Sequence, residues 1–289
     1  MHRSAPPRSL FAASAALSLI VAAPCARAAI LQAGDAVAGH PGLTYLDLVR
    51  RLVPDLALNP ATHQIEGRLR TAPRPVSGGE PDTETPDPVV LGFIEDQRIE
   101  VGGRKRIAVL ADLGTIPDEV AGVSVLMLFD DAAKPRLLDV ASVAVDKDTE
   151  FADHPQLPLG PGDAALISYS EHDDADLTFG HYLLISAIGD RLRLVKEIDT
   201  DSERECGWSN VEETNFSTRP DPASPYRQID VAVTSVFKHP PGDCGSSPIP
   251  KGHSAVYRAT FRWDAAAKRF ETQSDGLKRL DALNKRVFQ

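Results

Sequence analysis

The chain has 289 residues, with 31 Lys and Arg against 41 Asp and Glu, a formal net charge of −10. An acidic surface of this kind repels phosphate backbones and anionic lipid, which argues against nucleic acid and membrane surfaces as partners. Aromatic residues are 6% of the chain and charged ones 25%, a composition typical of a globular protein.

The N-terminus reads as a secretory signal. Arg3 and Arg8 precede an apolar run over residues 10–23 that only Ser14 and Ser18 interrupt, and Ala26-Arg27-Ala28 places small residues where a signal peptidase reads. Cleavage is expected after Ala28. The apolar run is shorter than the roughly 20 residues that a spanning helix needs, so no stable membrane insertion is expected after cleavage. Cys25 sits where a lipid attaches in lipoproteins, but Pro24 replaces the small residue such a signal requires. Loss of residues 1–28 removes three arginines and no acids, which leaves 28 basic against 41 acidic residues. The expected setting is periplasmic or secreted. Cys206 and Cys244 then remain as an even pair in an oxidising compartment, which reads as a disulfide. Closing a loop of about 39 residues stabilises a fold by roughly 4 kcal/mol on the chain-entropy model.

Residues 29–70 form an N-terminal helical segment. Thr44 with Asp47 has the pattern of a capped helix start, Tyr45, Val49, Leu52 and Val53 fall at helical spacing, and Pro54 ends the run. Residues 71–88 carry five prolines, two glycines and four acids with little to bury, the pattern of a linker. Residues 89–289 are expected to be a β-rich domain with a C-terminal helix. Gly102-Gly103 between residues 99–101 and 106–110 predicts a tight hairpin, because paired glycines supply the positive φ angles such turns need. Further hairpins are predicted over 123–129 with 136–140, 182–188 with 192–198 around Gly189-Asp190, and 256–263 with 270–272. Single strands are predicted over 164–170 and 229–236. Ser274 or Asp275 can cap a final helix through Leu277, Leu280 and Leu283.

Two turns share a pattern. Phe129-Asp130-Asp131-Ala132-Ala133-Lys134 and Trp263-Asp264-Ala265-Ala266-Ala267-Lys268 both run aromatic, acid, alanines, lysine. The fold class is therefore mainly β, built of antiparallel hairpin repeats, with a short helix near each end. A propeller-blade-like meander and a sandwich both fit, although three units are fewer than the usual four to eight blades.

The densest polar cluster is Glu171-His172-Asp173-Asp174-Ala175-Asp176. Its carboxylates, Glu171, Asp173, Asp174 and Asp176, are candidate Ca²⁺ ligands, although the spacing and turn glycine of a specific Ca²⁺ loop are missing. Asp146, Asp148 and Glu150 would share a face if extended. Segments 201–227 and 237–253 read as long polar loops tied by Cys206 and Cys244, and they hold Arg204, Trp208, Asn210, Tyr226 and His239 as candidate binding residues. Gly160-Pro161-Gly162-Asp163-Ala164-Ala165 imitates a dinucleotide fingerprint but opens a strand, and no His pair has metal-ligand spacing.

The stretches Gly42-Leu43-Thr44-Tyr45-Leu46-Asp47-Leu48-Val49, Leu157-Pro158-Leu159-Gly160-Pro161-Gly162-Asp163 and Tyr257-Arg258-Ala259-Thr260-Phe261-Arg262-Trp263 resemble a group of uncharacterised exported proteins of Gram-negative bacteria. The resemblance runs over most of the mature chain and implies a periplasmic setting, with no activity to carry over. The sequence thus favours a soluble periplasmic binding or interaction protein without catalysis, for a small ligand or a protein partner. No cofactor is required, with Ca²⁺ as the one candidate. The alternatives are a hydrolase of envelope carbohydrate or peptide, which needs two acids lining a cleft, and a Ca²⁺-stabilised structural module.

Overall fold

A computed structural model describes residues 30–79, 85–116, 122–146, 148–174, 177–205, 208–239 and 253–287. The signal region, Cys206, Cys244 and Asp176 lie outside the described residues. The protein is mainly β, in antiparallel sheets whose strands stay in sequence order. Strands β1 (Ala57–Leu58), β2 (Ile65–Gly67) and β3 (Val89–Val90) make a small sheet. Strands β4 (Ile94–Val101), β5 (Arg104–Thr115), β6 (Gly122–Asp130) and β7 (Leu137–Ser142) make a four-stranded one. Eight further strands follow: β8 (Asp148–Gly160), β9 (Asp163–Asp174), β10 (Leu177–Ile188), β11 (Arg191–Glu205), β12 (Trp208–Arg219), β13 (Gln228–Lys238), β14 (Ser254–Asp264) and β15 (Arg269–Thr272). Helices α1 (Tyr45–Val49) and α2 (Gly276–Val287) lie near the two ends.

The eight-stranded meander folds on itself. Strands β11 and β12 pair only through Glu203–Asn210, Arg204–Ser209 and Glu205–Trp208, whereas β10 and β11 pair along their whole length. Beyond that short joint the two strands diverge, and the halves β8–β11 and β12–β15 face each other as a sandwich. Their shared core holds Leu159, Ile167, Leu184 and Ile198 from one half and Val231, Val233, Ala259 and Phe261 from the other. The opposite face of β8–β11 packs Leu166, Leu183, Ile185 and Leu192 against Ala108, Leu110, Leu126 and Leu128 of β5 and β6. The outer face of β5 and β6 packs Val109, Val125, Met127 and Phe129 under α1 and the small sheet. Three strand layers therefore enclose two cores, with a third beneath the N-terminal segment. This explains why β6 is a continuous buried run: a strand covered on both faces shows no alternation.

The turn chemistry follows from the glycines. Gly102 and Gly103 have φ of 58° and 68°, and Gly189 and Asp190 have 65° and 57°, as the tightest hairpins require. The fingerprint-like Gly160 to Ala165 stretch is the β8–β9 turn. A Cβ on Gly162 would sit 2.3 Å from the Gly103 nitrogen, so two hairpin turns abut there. The shared acid of the two similar turns closes each of them. Asp130 accepts from the Arg136 backbone at 2.7 Å, and Asp264 from Ala266 and Ala267 at 2.8 and 2.9 Å. Thr44 and Asp47 form the reciprocal cap of α1.

Three expectations are corrected. Residues 201–227 are not one loop: β11 continues to Glu205, and β12 pairs with β13 over Ser209 to Arg219. Polar side chains on both faces of β12, Asn210 and Glu212 among them, hide the strand from a hydrophobic pattern. Strand β8 is a second departure, because Pro155 and Pro158 interrupt its sequence and argue against a strand. It survives as the edge strand, bulged between Phe151 and Gln156, where a missing N–H is tolerated. Finally, residues 74–76 of the proline-rich stretch are packed structure. Ser142 N donates to the Arg74 carbonyl at 2.8 Å, Leu194 N donates to that of Val76 at 3.1 Å, and Val76 is buried.

Candidate functional site

The diverging strands β11 and β12 leave an opening that α2 occupies. Leu280 enters the sandwich core, and Leu283 packs with Trp208 and Phe237 at the joint. The helix can lie this close because it begins with Gly276, whose Cβ would sit 2.1 Å from the Arg258 carbonyl oxygen of β14. Between α2 and strands β10–β11 a cleft of about 610 Å³ remains. Its lining includes Phe179, His181, Glu197, Asp199, Asp201 and Leu277.

His181 and Asp199 are directly opposed across β10 and β11, and Glu197 is two residues along the same face of β11. The His181 Nδ1 lies 2.9 Å from Asp199 Oδ1, and the three residues bring one ligand atom each to within 4.8 Å of one another. The other ring nitrogen, Nε2, lies 3.8 Å from Asp146 Oδ2, and Asp146 Oδ1 is 3.2 Å from His172 Nδ1. Asp199 foremost, with Asp146 and Glu197, raises the His181 pKa, and burial opposes the rise. Deeper in, Asp201 is pushed up to about 6 by burial and then by Glu212 and Asp199. Among the described residues, His181, Glu197 and Asp199 are the one group of three such side chains close enough to share an ion.

Glu212 is buried under the helix. Its Oε2 accepts from the Asp201 backbone at 3.1 Å and from Asn284 Nδ2 at 3.0 Å. Burial raises its pKa above the usual glutamate range, against the hydrogen bonds that lower it. The fold therefore favours the protonated form. That stability is complete below the unfolded pKa and is lost as pH rises through the folded one. Asp201, Asn210, Asn284 and Tyr257 surround the group. Glu212→Gln keeps the acceptor and removes the charge. At pH 7.5 it should be more stable than the parent by about 1–3 kcal/mol, the cost of an incompletely satisfied buried polar group. Urea denaturation at pH 4 and 7.5 checks this, and a gap that does not widen with pH refutes it.

Comparison with protein-family models, curated proteins and solved structures gives no match. The chemistry must therefore be read from the residues themselves.

The residues singled out in the sequence are dispersed. Trp208 stacks on Phe237 with centroids 5.9 Å apart and is buried, and Asn210 bridges the Asp201 carbonyl and Ser235. Tyr226 packs on Trp263 and donates to Asp163 near the β8–β9 turn. Arg204 pairs with Ser209 at the joint, and His239 follows the end of β13. Nor do the acids near residue 171 converge. Glu171 accepts from Tyr169, Asp173 accepts from Thr178, and Asp174 points to the opposite face by strand alternation. A second cleft, of about 820 Å³, lies beside the β4–β5 and β8–β9 turns. Three of its charged groups are engaged with each other: His40 Nε2 is 2.7 Å and Arg98 Nη1 2.9 Å from the same Asp131 oxygen. Glu197 and Asp199 are two residues apart, but His181 lies on the preceding strand and no local motif joins it to them. No described helix is long and apolar enough to cross a membrane.

Proposed function

We propose that this is an exported, non-catalytic binding protein whose ligand is a divalent transition-metal ion held by His181, Glu197 and Asp199. One observation carries the reading: a histidine nitrogen and two carboxylates converge within 4.8 Å at the edge of a cleft. An imidazole with two carboxylates suits zinc and its neighbours, whereas Ca²⁺ takes six to eight oxygens. In a tetrahedral shell with bonds of about 2.0–2.1 Å, ligand atoms stand roughly 3.3 Å apart, so small side-chain adjustments suffice. Asp146 Oδ2, 3.8 Å from Nε2, is too far for a hydrogen bond but adds negative charge beside the ring, which favours a cation there. The signal-like N-terminus and the resemblance to exported proteins support the setting.

The test is titration of the untagged protein with Zn²⁺ by calorimetry and with Co²⁺ by visible spectroscopy. One ion should bind per chain. His181→Ala and Asp199→Asn should each weaken binding by about 10–100-fold, and Glu171→Gln should leave it unchanged. Absence of saturable binding, or equal binding by the His181 and Asp199 variants, refutes the reading.

A further inference from the structure

Strand β4 is an edge of its sheet, and among the described residues β5 is its only strand neighbour. On the open side the Leu31 N–H donates to the Ile94 carbonyl at 2.8 Å in an antiparallel bridge. The N–H and C=O of one strand residue point the same way, and the direction alternates along the strand. Asp96, Arg98 and Glu100 therefore direct their backbone groups outward with Ile94. The opposite phase belongs to Val101, which closes the Gly102-Gly103 hairpin with Arg104. Among the described residues no backbone hydrogen bond reaches Asp96, Arg98 or Glu100 from the open side.

The cleft of about 820 Å³ lies on this edge, with a wall on each face of β4. Arg98 is opposite Ile107, and it fixes the wall on that face: Nη1 is 2.9 Å from Asp131 Oδ1, and Nη2 donates to the Ala38 carbonyl at 2.7 Å. Gln97 and Ile99 lie on the other face. There Gln156 Nε2 donates to Gln97 Oε1 at 2.6 Å, with Pro158 and its partner Ala164 alongside. One end is shut, because the Gly102 N–H donates to Asp163 Oδ1 at 2.7 Å and the Gly103 N–H to the Gly162 carbonyl at 3.0 Å. The groove is thus braced on both walls, and its floor is a row of unpaired backbone groups. Unpaired edges are templates for a further strand unless a proline, a bulge or a covering segment blocks them. The β4–β5 register is unbroken from Ile94 to Val101, with neither proline nor bulge.

The chain's own start covers only part of this edge. In the register of the Leu31–Ile94 bridge, a chain that begins at Ala29 after signal cleavage reaches Asp96 and leaves Arg98 and Glu100. From this we propose that the cleft binds an extended segment of another polypeptide, which adds to β4 as an antiparallel strand in line with Leu31. Its main chain pairs with Arg98 and Glu100. Its side chains alternate between Pro158 and Ala164, which suit small apolar residues, and Glu100 with the opposed Lys105, which suit polar ones. This site stands apart from the metal reading, since the cleft shares no lining residue with the one at His181.

Heptapeptides selected from a random phage-displayed library on the wild-type protein, then synthesised, are the probes. They should bind one per chain. At saturation, amide hydrogen exchange at Arg98 and Glu100 should slow by about tenfold or more, while Val101, already paired to β5, stays unchanged. Glu100→Pro removes one outward N–H and spares the bonds between β4 and β5, so it should weaken binding by about tenfold. Glu100→Gln keeps that N–H and should stay within about threefold. Methylating the peptide nitrogens one at a time applies the same test without altering the protein, and it decides the matter if the proline variant does not fold. The losses should alternate, large at every second residue. A selection that enriches no peptide, equal binding by Glu100→Pro and the wild type, or methylation losses without alternation overturns the proposal.

Discussion

Leu166→Ala and Ile167→Ala are expected to destabilise the protein by about 2–5 kcal/mol each, despite being neighbours that point in opposite directions. In an ordinary two-layer sheet one of two adjacent strand residues faces solvent, and its truncation costs little. Strand β9 lies in the middle layer. Leu166 enters the core shared with β5 and β6, and Ile167 enters the core shared with β13 and β14. Both are essentially inaccessible, at 0% and 1% exposure. Each truncation leaves a cavity that rigid sheets on either side collapse into poorly, so values near the middle of the range are expected. Urea unfolding of the two variants measures the effect. A loss below about 0.5 kcal/mol at either position would show that the layer has an open face, and the three-layer arrangement would be wrong.

Arg74→Ala should cost about 3 kcal/mol. Arg74 Nη2 donates to Asp139 Oδ2 at 2.6 Å and to the Leu192 carbonyl at 2.8 Å, which joins the proline-rich stretch to β7 and β11 at once. Asp139 is only 6% exposed, and breaking a buried pair leaves its charge poorly compensated, at about 3–5 kcal/mol. The Leu192 N–H at 2.8 Å and Arg191 at 3.5 Å still face the carboxylate, so the low end of that range applies. Removing both partners should cost less than the sum of the two single changes, because the stranded charge is then gone. Urea unfolding of Arg74→Ala, Asp139→Ala and the double variant tests this. Additive losses, or a negligible loss in Arg74→Ala alone, would show that the pair does not hold the stretch against the sheets.

The hairpins were legible because their turns are governed by local chemistry. Gly102-Gly103 and Gly189-Asp190 sit where positive φ is needed, and the runs on either side are long enough to pair. Helix α1 was legible for the same reason, through the Thr44 and Asp47 cap. Strands β8 and β12 were not. The first has prolines that only an edge position excuses, and the second carries buried Asn210 and Glu212, satisfied by groups remote in sequence such as Asn284. The candidate binding residues of 201–227 followed from reading that region as loop. Once it is strand, Trp208 and Asn210 become structural.

The sequence by itself determined the mainly β class, four of the hairpins and the helix near each end, since turn angles, caps and apolar runs act over a few residues. The tertiary structure decided which side chains meet. Counting back from the Gly189-Asp190 turn sets His181 opposite Ile198, but a bulge between Leu184 and Ile185 shifts the register by one and puts Asp199 there. That single step turns a histidine facing an apolar neighbour into one facing two carboxylates. The short β11–β12 joint then leaves the opening that α2 and the cleft fill. Bulges and sheet folding depend on packing between layers, a non-local energy that no window of sequence contains.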